Sequence, residues 1–240
     1  MNLQSAVRLL YPAQCVSCAA LTDTDFGLCG ACWRDTAFIG GLVCDLCGTP
    51  LPGEDGGEAV HCDDCMTIAR PWTRGRAALL YKDTGRKMVL GIKHSDRTDL
   101  ARAAGSWMAA VAVSLIRDNT MIVPVPLHWS RLLHRRYNQS ALLAHWVAKT
   151  VRRPVCPDAL IRKVRTKSLE GHSRDARFAA LQGAIAAHPR RVSHIKGRSV
   201  LLIDDVMTSG ATLAACTEVL RNCGATEVCV LLLARVAKDA

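Results

Sequence analysis

Four short apolar runs along the chain lack a helical period: Ala77–Tyr81, a stretch beginning at Met121, Ser199–Ile203 and Glu227–Leu233. Runs of this length and composition predict buried strands, and Ser199–Ile203 reads as fully buried in a parallel sheet. Between them lie segments of helical character: the alanine-rich Leu100–Ile116, a helix from Asn138 with apolar positions at Ala141, Leu142, His145 and Trp146, and Leu213–Asn222, closed by Gly224. Alternating strands and helices predict an α/β sheet flanked by helices. Pro124 and Pro126 force a sharp, extended exit from the second strand. A basic loop with Arg131, His134, Arg135 and Arg136 is expected after it.

No apolar run approaches the roughly 20 residues that a membrane helix needs. The N-terminal stretch carries Arg8 within its apolar residues and no small-residue cleavage site, so a cytoplasmic protein is expected. The composition, 50% hydrophobic and 22% charged, excludes disordered and fibrous classes. Charge divides the chain. Residues 1–70 carry three basic and nine acidic side chains, and residues 71–240 carry 28 and 12. Two modules with different tasks are expected, 1–70 and 71–240, the second suited to phosphate-bearing partners.

Eight of the twelve cysteines form four CxxC pairs: Cys15/Cys18, Cys29/Cys32, Cys44/Cys47 and Cys62/Cys65. A CxxC turn lets two thiolates reach one ion at about 2.3 Å, and two such turns complete a tetrahedron. Two zinc ions are expected, on Cys15/Cys18/Cys29/Cys32 and on Cys44/Cys47/Cys62/Cys65; an interleaved pairing has the same spacing. With four thiolates neither ion keeps an open position, so both are structural. Each four-thiolate zinc adds about −2, so the acidic module is poorly suited to gripping phosphates and better suited to docking a protein. His61 reads as a bystander. Cys156, Cys216, Cys223 and Cys229 read as small buried hydrophobes.

The segment 198–213, RSVLLIDDVMTSGATL, carries the most chemistry. A buried strand ends in Asp204 and Asp205. The small-residue loop Thr208-Ser209-Gly210-Ala211-Thr212 follows and feeds a helix. The carboxyl end of a parallel strand is where open α/β sheets bind ligands. Backbone N–H groups and hydroxyls at a helix start hold a phosphate dianion. Carboxylates repel phosphate but accept hydrogen bonds from vicinal hydroxyls, so the pattern describes a ribose 5-phosphate. Arginines at the same sheet edge suit a pyrophosphate, which takes bidentate guanidinium partners. Lys93, in the motif Gly91–Arg97, is a further phosphate contact. Residues 160–177, with Gly171 as hinge and a helix capped at Ser173, read as a mobile lid or as a track for single-stranded nucleic acid. From 131 to 198 there are sixteen Lys/Arg and three acids.

The run Ile203–Thr212 resembles the signature for 5-phosphoribosyl 1-pyrophosphate (PRPP) in type I phosphoribosyltransferases, and the whole chain resembles the ComF (competence protein F) family. Val123–Gln139 is similar to that family's V-P…R-x-x-x-R-G-[FY]-N-Q segment, with Arg136 at the usual glycine and Tyr137-Asn138-Gln139 retained. Thr166, Ser173-Arg174 and Gly183-Ala184 follow its lid region, where Leu169 replaces a common glutamine. The resemblance implies a type I phosphoribosyltransferase-like parallel sheet flanked by helices, preceded by a small N-terminal double zinc ribbon. It implies PRPP with magnesium, or a related phosphoribosyl ligand, on Asp204, Asp205, Val206, Met207, Thr208, Ser209, Gly210, Ala211, Thr212 and Lys93. Arg135 and Arg136 stand at the leaving pyrophosphate beside the two acids. It further implies a role in natural transformation, with single-stranded DNA and DNA-processing proteins as partners. Transfer of the phosphoribosyl group to a base or amine is the alternative.

Overall fold

A computed structural model describes residues 11–164, 176, 178, 180, 181 and 183–237. From the N-terminal side, the five-residue helices α1 (Gly30–Arg34) and α2 (Asp63–Thr67) lie within the cysteine-rich segment. Then come β1 (Gly75–Leu80), α3 (Asp83–His94), α4 (Leu100–Val111), β2 (Met121–Pro124), α5 (Trp129–Arg135) and α6 (Gln139–Val151). A small antiparallel pair, β3 (Leu160–Arg162) with β4 (Ile185–Ala187), precedes α7 (Val192–Ile195), β5 (Ser199–Met207), α8 (Ala211–Asn222) and β6 (Glu227–Arg235). The main sheet has the order β1-β6-β5-β2 and is parallel throughout.

The apolar runs are continuous because both faces of this sheet are covered. Leu201 and Ile203 pack with Met88, Met108, Leu143 and Leu231 under α3, α4 and α6. Val200 and Leu202 pack on the opposite face with Leu213 and Leu220 of α8 and with Cys44, Cys47 and Cys65 of the cysteine-rich segment. The sheet edges are closed too. Phe38 bridges Leu79 antiparallel, with Ile39 N–H donating to Ala78 and Leu80 N–H to Ala37, each at 2.9 Å. On the far side Ile122 exchanges hydrogen bonds with Pro154 and Cys156, each at 2.9 Å.

Several expectations change. Residues 129–135 are helical rather than a loop: His128 caps α5 by accepting from Ser130 N–H at 3.2 Å, and Arg136 ends it at φ 65°. That left-handed angle is one that glycine adopts without steric cost. The pattern was hard to read because Trp129, Leu132 and Leu133 of α5 face outward. On α6 the buried stripe is Gln139/Ser140, Leu143/Ala144 and Val147/Ala148, two positions from the expected one, and His145 is exposed. α4 stops at Val111, before a short 3-10 turn. α3 was not foreseen: Gly85 and Gly91 disguise it, yet an added Cβ there would come within 2.6 Å of Leu80 O and 2.8 Å of a Leu100 methyl. Of the expected lid, 160–177, Leu160–Arg162 form β3, paired with β4, rather than a lid; Thr166, Leu169, Gly171, Ser173 and Arg174 lie outside the described residues. Among the described residues no helix is long and apolar enough to cross a membrane.

α4 and α6 touch at Gly105, where an added Cβ would sit 2.4 Å from Cβ of Trp146. Overpacking of this kind costs about 1–3 kcal/mol. Gly105→Ala is therefore expected to lower the melting temperature by about 3–10 °C. An unchanged melt would show that the two helices are not in contact there.

Candidate functional site

The two halves of the cysteine-rich segment repeat one construction. The bridges Gln14↔Leu21 and Val43↔Pro50 close hairpins around the first CxxC of each half. The second CxxC starts at a helix N-cap, Cys29 for α1 and Cys62 for α2. The sulfurs of Cys15, Cys18, Cys29 and Cys32 all lie within 4.8 Å of one another, as do those of Cys44, Cys47, Cys62 and Cys65. A zinc tetrahedron with bonds of about 2.3 Å spaces its sulfurs about 3.8 Å apart. Cys18 and Cys29 are 3.6 Å apart, and so are Cys47 and Cys62. Each set thus takes two consecutive turns and fits a structural zinc ion. The two differ in setting. Cys44, Cys47 and Cys65 are buried in the core, whereas Cys18 is exposed. Gly48, at φ 70°, lets the second hairpin reach β1; an added Cβ would meet Ala77 N at 2.6 Å.

β5 runs on past its expected end, and Asp204 and Asp205 lie within it, Asp204 opposite Leu232. Asp204 Oδ1 accepts from Ser140 Oγ at 2.8 Å and from the Asp205 N–H at 2.9 Å. Burial, then the adjacent Asp205, push the Asp204 carboxyl up to about 7; Ser140 and Lys93 oppose this. Asp205 Oδ1 lies 3.1 Å from Lys93 Nζ, and its buried Oδ2 has no hydrogen-bond partner among the described residues. Lys93, on α3, is therefore held by the second acid. The loop begins at exposed Thr208 and turns at Gly210, whose φ of 82° makes it the N-cap of α8. Ser209 Oγ accepts weakly from Ala211 N–H at 3.4 Å. Val206 and Met207 continue the strand between acids and loop, and Thr212 is half-buried in the first turn of α8.

The corner between β2 and α6 is a built structure. Tyr137 donates to Ile92 O at 2.6 Å, tying the corner to α3 beside Lys93. Asn138 caps α6 and donates to Val125 O at 3.0 Å. Arg135 donates to Gln139 Oε1 at 3.3 Å, while Arg136 is exposed. Arg162, at the end of β3, has its pKa lowered by burial and by Arg131, with Cys216 and Asp204 opposing. Sequence reasoning missed Ser140 and Arg162. Ser140 left one signal, a polar residue on the buried stripe of a helix.

Known proteins repeat this division. Residues 6–66 match the double zinc ribbon domain, and residues 138–240 match the phosphoribosyl transferase domain. The chain is 29% identical over 239 residues to the DNA utilization protein YhgH of Salmonella typhi, covering 95% of this chain and 99% of that one. It is 27% identical over 233 residues to YhgH of Escherichia coli K12, at the same coverage. The competence protein F of Haemophilus influenzae is 25% identical over 228 residues, covering 92% and 96%. Over nearly its whole length the chain is similar to proteins of the ComF/YhgH family. The residues at 137–139, where the chain follows the ComF pattern, hold backbone rather than open onto the acids: Tyr137 and Asn138 each donate to a main-chain carbonyl, and Gln139 is buried. The phosphoribosyl transferase match includes both acids and the whole loop Thr208–Thr212.

Proposed function

We propose that this protein binds a 5-phosphoribosyl ligand, either PRPP with magnesium or a related phosphoribosyl group, at the carboxyl end of β5. Its setting is DNA uptake and single-stranded DNA handling. The observation that carries the reading is the succession of two carboxylates and a small-residue loop where β5 gives way to α8. Asp204 and Asp205 take the ribose hydroxyls. The hydroxyls of Thr208, Ser209 and Thr212 and the amides of Gly210 and Ala211 take the 5-phosphate. Arg135 and Arg136 answer the pyrophosphate, with magnesium neutralising part of its charge. The names of the relatives support the DNA setting, and the basic stretch 131–198 supplies charge for a phosphodiester backbone. The acidic ribbon docks DNA-processing proteins.

Calorimetric titration of the zinc-loaded protein with Mg-PRPP tests the pocket. Saturable binding is expected, and no binding by the native protein overturns the reading. Single-stranded DNA binding is expected to weaken with salt and on charge reversal of Arg135, Arg136 and Arg165; no binding at low salt would sink the DNA role. A second reading, transfer of the phosphoribosyl group to a base or amine, has one observation in its favour. Burial and Asp205 push the Asp204 carboxyl up to about 7, which suits it to taking the acceptor's proton. Pyrophosphate release with a panel of bases and amines measures it, and silence throughout rejects it.

The same carboxyl sets a pH dependence. Asp204 accepts ribose hydroxyls best when charged, and below about 7 it holds a proton that the ligand must displace. Affinity is therefore expected to fall by up to about tenfold per pH unit as pH drops below 7. Asp204→Asn is expected to flatten the profile, leaving only the titration of the ligand's own phosphates. Equal slopes in both proteins would show that Asp204 does not titrate on binding.

A further inference from the structure

We propose that Arg70 and Arg235 are positioning residues that make the second cysteine cluster a working part of the phosphate loop. The inference rests on the reading of that loop given above.

The loop lies on the cysteine-rich segment. Arg70 Nη1 donates to Ser209 O at 2.6 Å, across 139 residues of sequence. A Cβ added to Gly210 would meet Arg70 Nη1 and Met207 Cε, each at 2.8 Å, and the Trp72 ring at 3.1 Å. The Arg70 guanidinium lies 5.4 Å from the centre of that ring, and Trp72, buried, donates to Leu46 O at 2.6 Å. Leu46 is inside the Cys44–Cys47 turn, so two contacts lead from a metal-binding hairpin to the loop.

Arg235 makes the second link. It is 3% exposed, and its Nη1 donates to Met207 O and Thr208 O, each at 3.2 Å, and to Val236 O. Its Nη2 lies 4.0 Å from Asp64 Oδ2, and Asp64 sits between Cys62 and Cys65 on α2. Three consecutive carbonyls, those of Met207, Thr208 and Ser209, thus accept hydrogen bonds from two guanidiniums. A peptide group whose carbonyl is turned inward presents its N–H on the other side, which is the polarity an anion needs. A four-thiolate zinc carries about −2 and offsets the cost of holding the buried Arg235 and the half-buried Arg70 nearby. The first cluster is anchored elsewhere: Arg97 Nη2 donates to Val16 O at 3.0 Å and pairs with Asp99 at 2.8 Å, at the start of α4.

Two measurements on the full-length, zinc-loaded chain test the coupling. The first is hydrogen exchange at residues 208–212 without ligand. Arg70→Met is expected to speed exchange there at least tenfold, while Arg97→Met leaves it unchanged. Arg70→Lys, which keeps one donor and the charge, is expected to restore part of the protection. Wild-type exchange in Arg70→Met, with the melting temperature also unchanged, overturns the proposal. If Arg70→Met fails to fold, Arg70→Lys decides the matter by the same criterion. The second measurement is alkylation of the cysteines by mass spectrometry during challenge with a zinc chelator. Coupling is reciprocal, so saturating Mg-PRPP is expected to slow loss of Cys44, Cys47, Cys62 and Cys65 at least threefold and to leave Cys15, Cys18, Cys29 and Cys32 unaffected. PRPP binding with equal release rates overturns the coupling. Absence of PRPP binding by the wild type overturns the pocket reading instead, and the exchange experiment still decides the role of Arg70.

Discussion

Replacing both Asp204 and Asp205 by asparagine is expected to weaken Mg-PRPP binding by a factor of at least about a hundred. Hydrogen bonds to charged acceptors contribute about 1.5–3 kcal/mol each, and the two carboxylates together accept the ribose hydroxyls. Asparagine keeps the shape but presents a neutral oxygen, so the charge assistance is lost while packing stays. The fold should tolerate the change. Asp204→Asn removes a carboxyl that burial and Asp205 already push up to about 7, which relieves a cost. Asp205→Asn leaves Lys93 without its 3.1 Å partner, but the Lys93 side chain is 22% exposed and can turn to water. Calorimetry reads the affinity, and a thermal melt within a few degrees of the native one confirms the fold. Undiminished affinity in the double variant would mean that the ligand sits somewhere other than the end of β5.

Removal of zinc is expected to give the largest change in stability, and in two stages. Structural zinc in small cysteine sites contributes about 10 kcal/mol or more to folding. The first cluster, with Cys18 exposed, should yield its ion to a chelator early and with little change in the sheet. The second should resist, because Cys44 and Cys47 are fully buried in a core shared with Trp72, Val230 and Leu232. Once it empties, that face of the sheet loses part of its cover. The melting temperature is then expected to fall by at least about 10 °C, since each 1 kcal/mol is worth about 2–4 °C at this chain length. Release of both ions in one phase, or an unchanged melt after complete release, would contradict the unequal burial of the clusters.

The strand–loop–helix unit of β5, α8 and β6 was legible because its signals are local. An apolar run of fixed composition, two adjacent acids and a glycine at a left-handed turn fall within 37 residues. The CxxC turns were legible for the same reason, and only their pairing needed three-dimensional proximity. What escaped depends on approach between distant segments. Ser140 reaches Asp204 across 64 residues and Arg70 reaches Ser209 across 139, and no periodicity records such meetings. α3 and α5 were hidden for opposite reasons. The glycines of α3 serve close packing rather than turning, and the large side chains of α5 point away from the core. Lys93 reads as a phosphate ligand, and the sequence held no hint that it pairs at 3.1 Å with Asp205, an acid of the same site.

The strip of backbone at residues 37–39 that lies along β1 has a practical corollary for anyone dissecting the chain. A fragment begun at residue 71 would carry its sheet with one row of N–H and C=O groups uncovered, beside a face stripped of its cysteine-rich cover. Bare edges of this kind recruit other strands, so such a fragment is prone to self-association. The zinc-binding part is therefore also the chain's own guard against aggregation, and the two parts are best expressed and handled as one polypeptide.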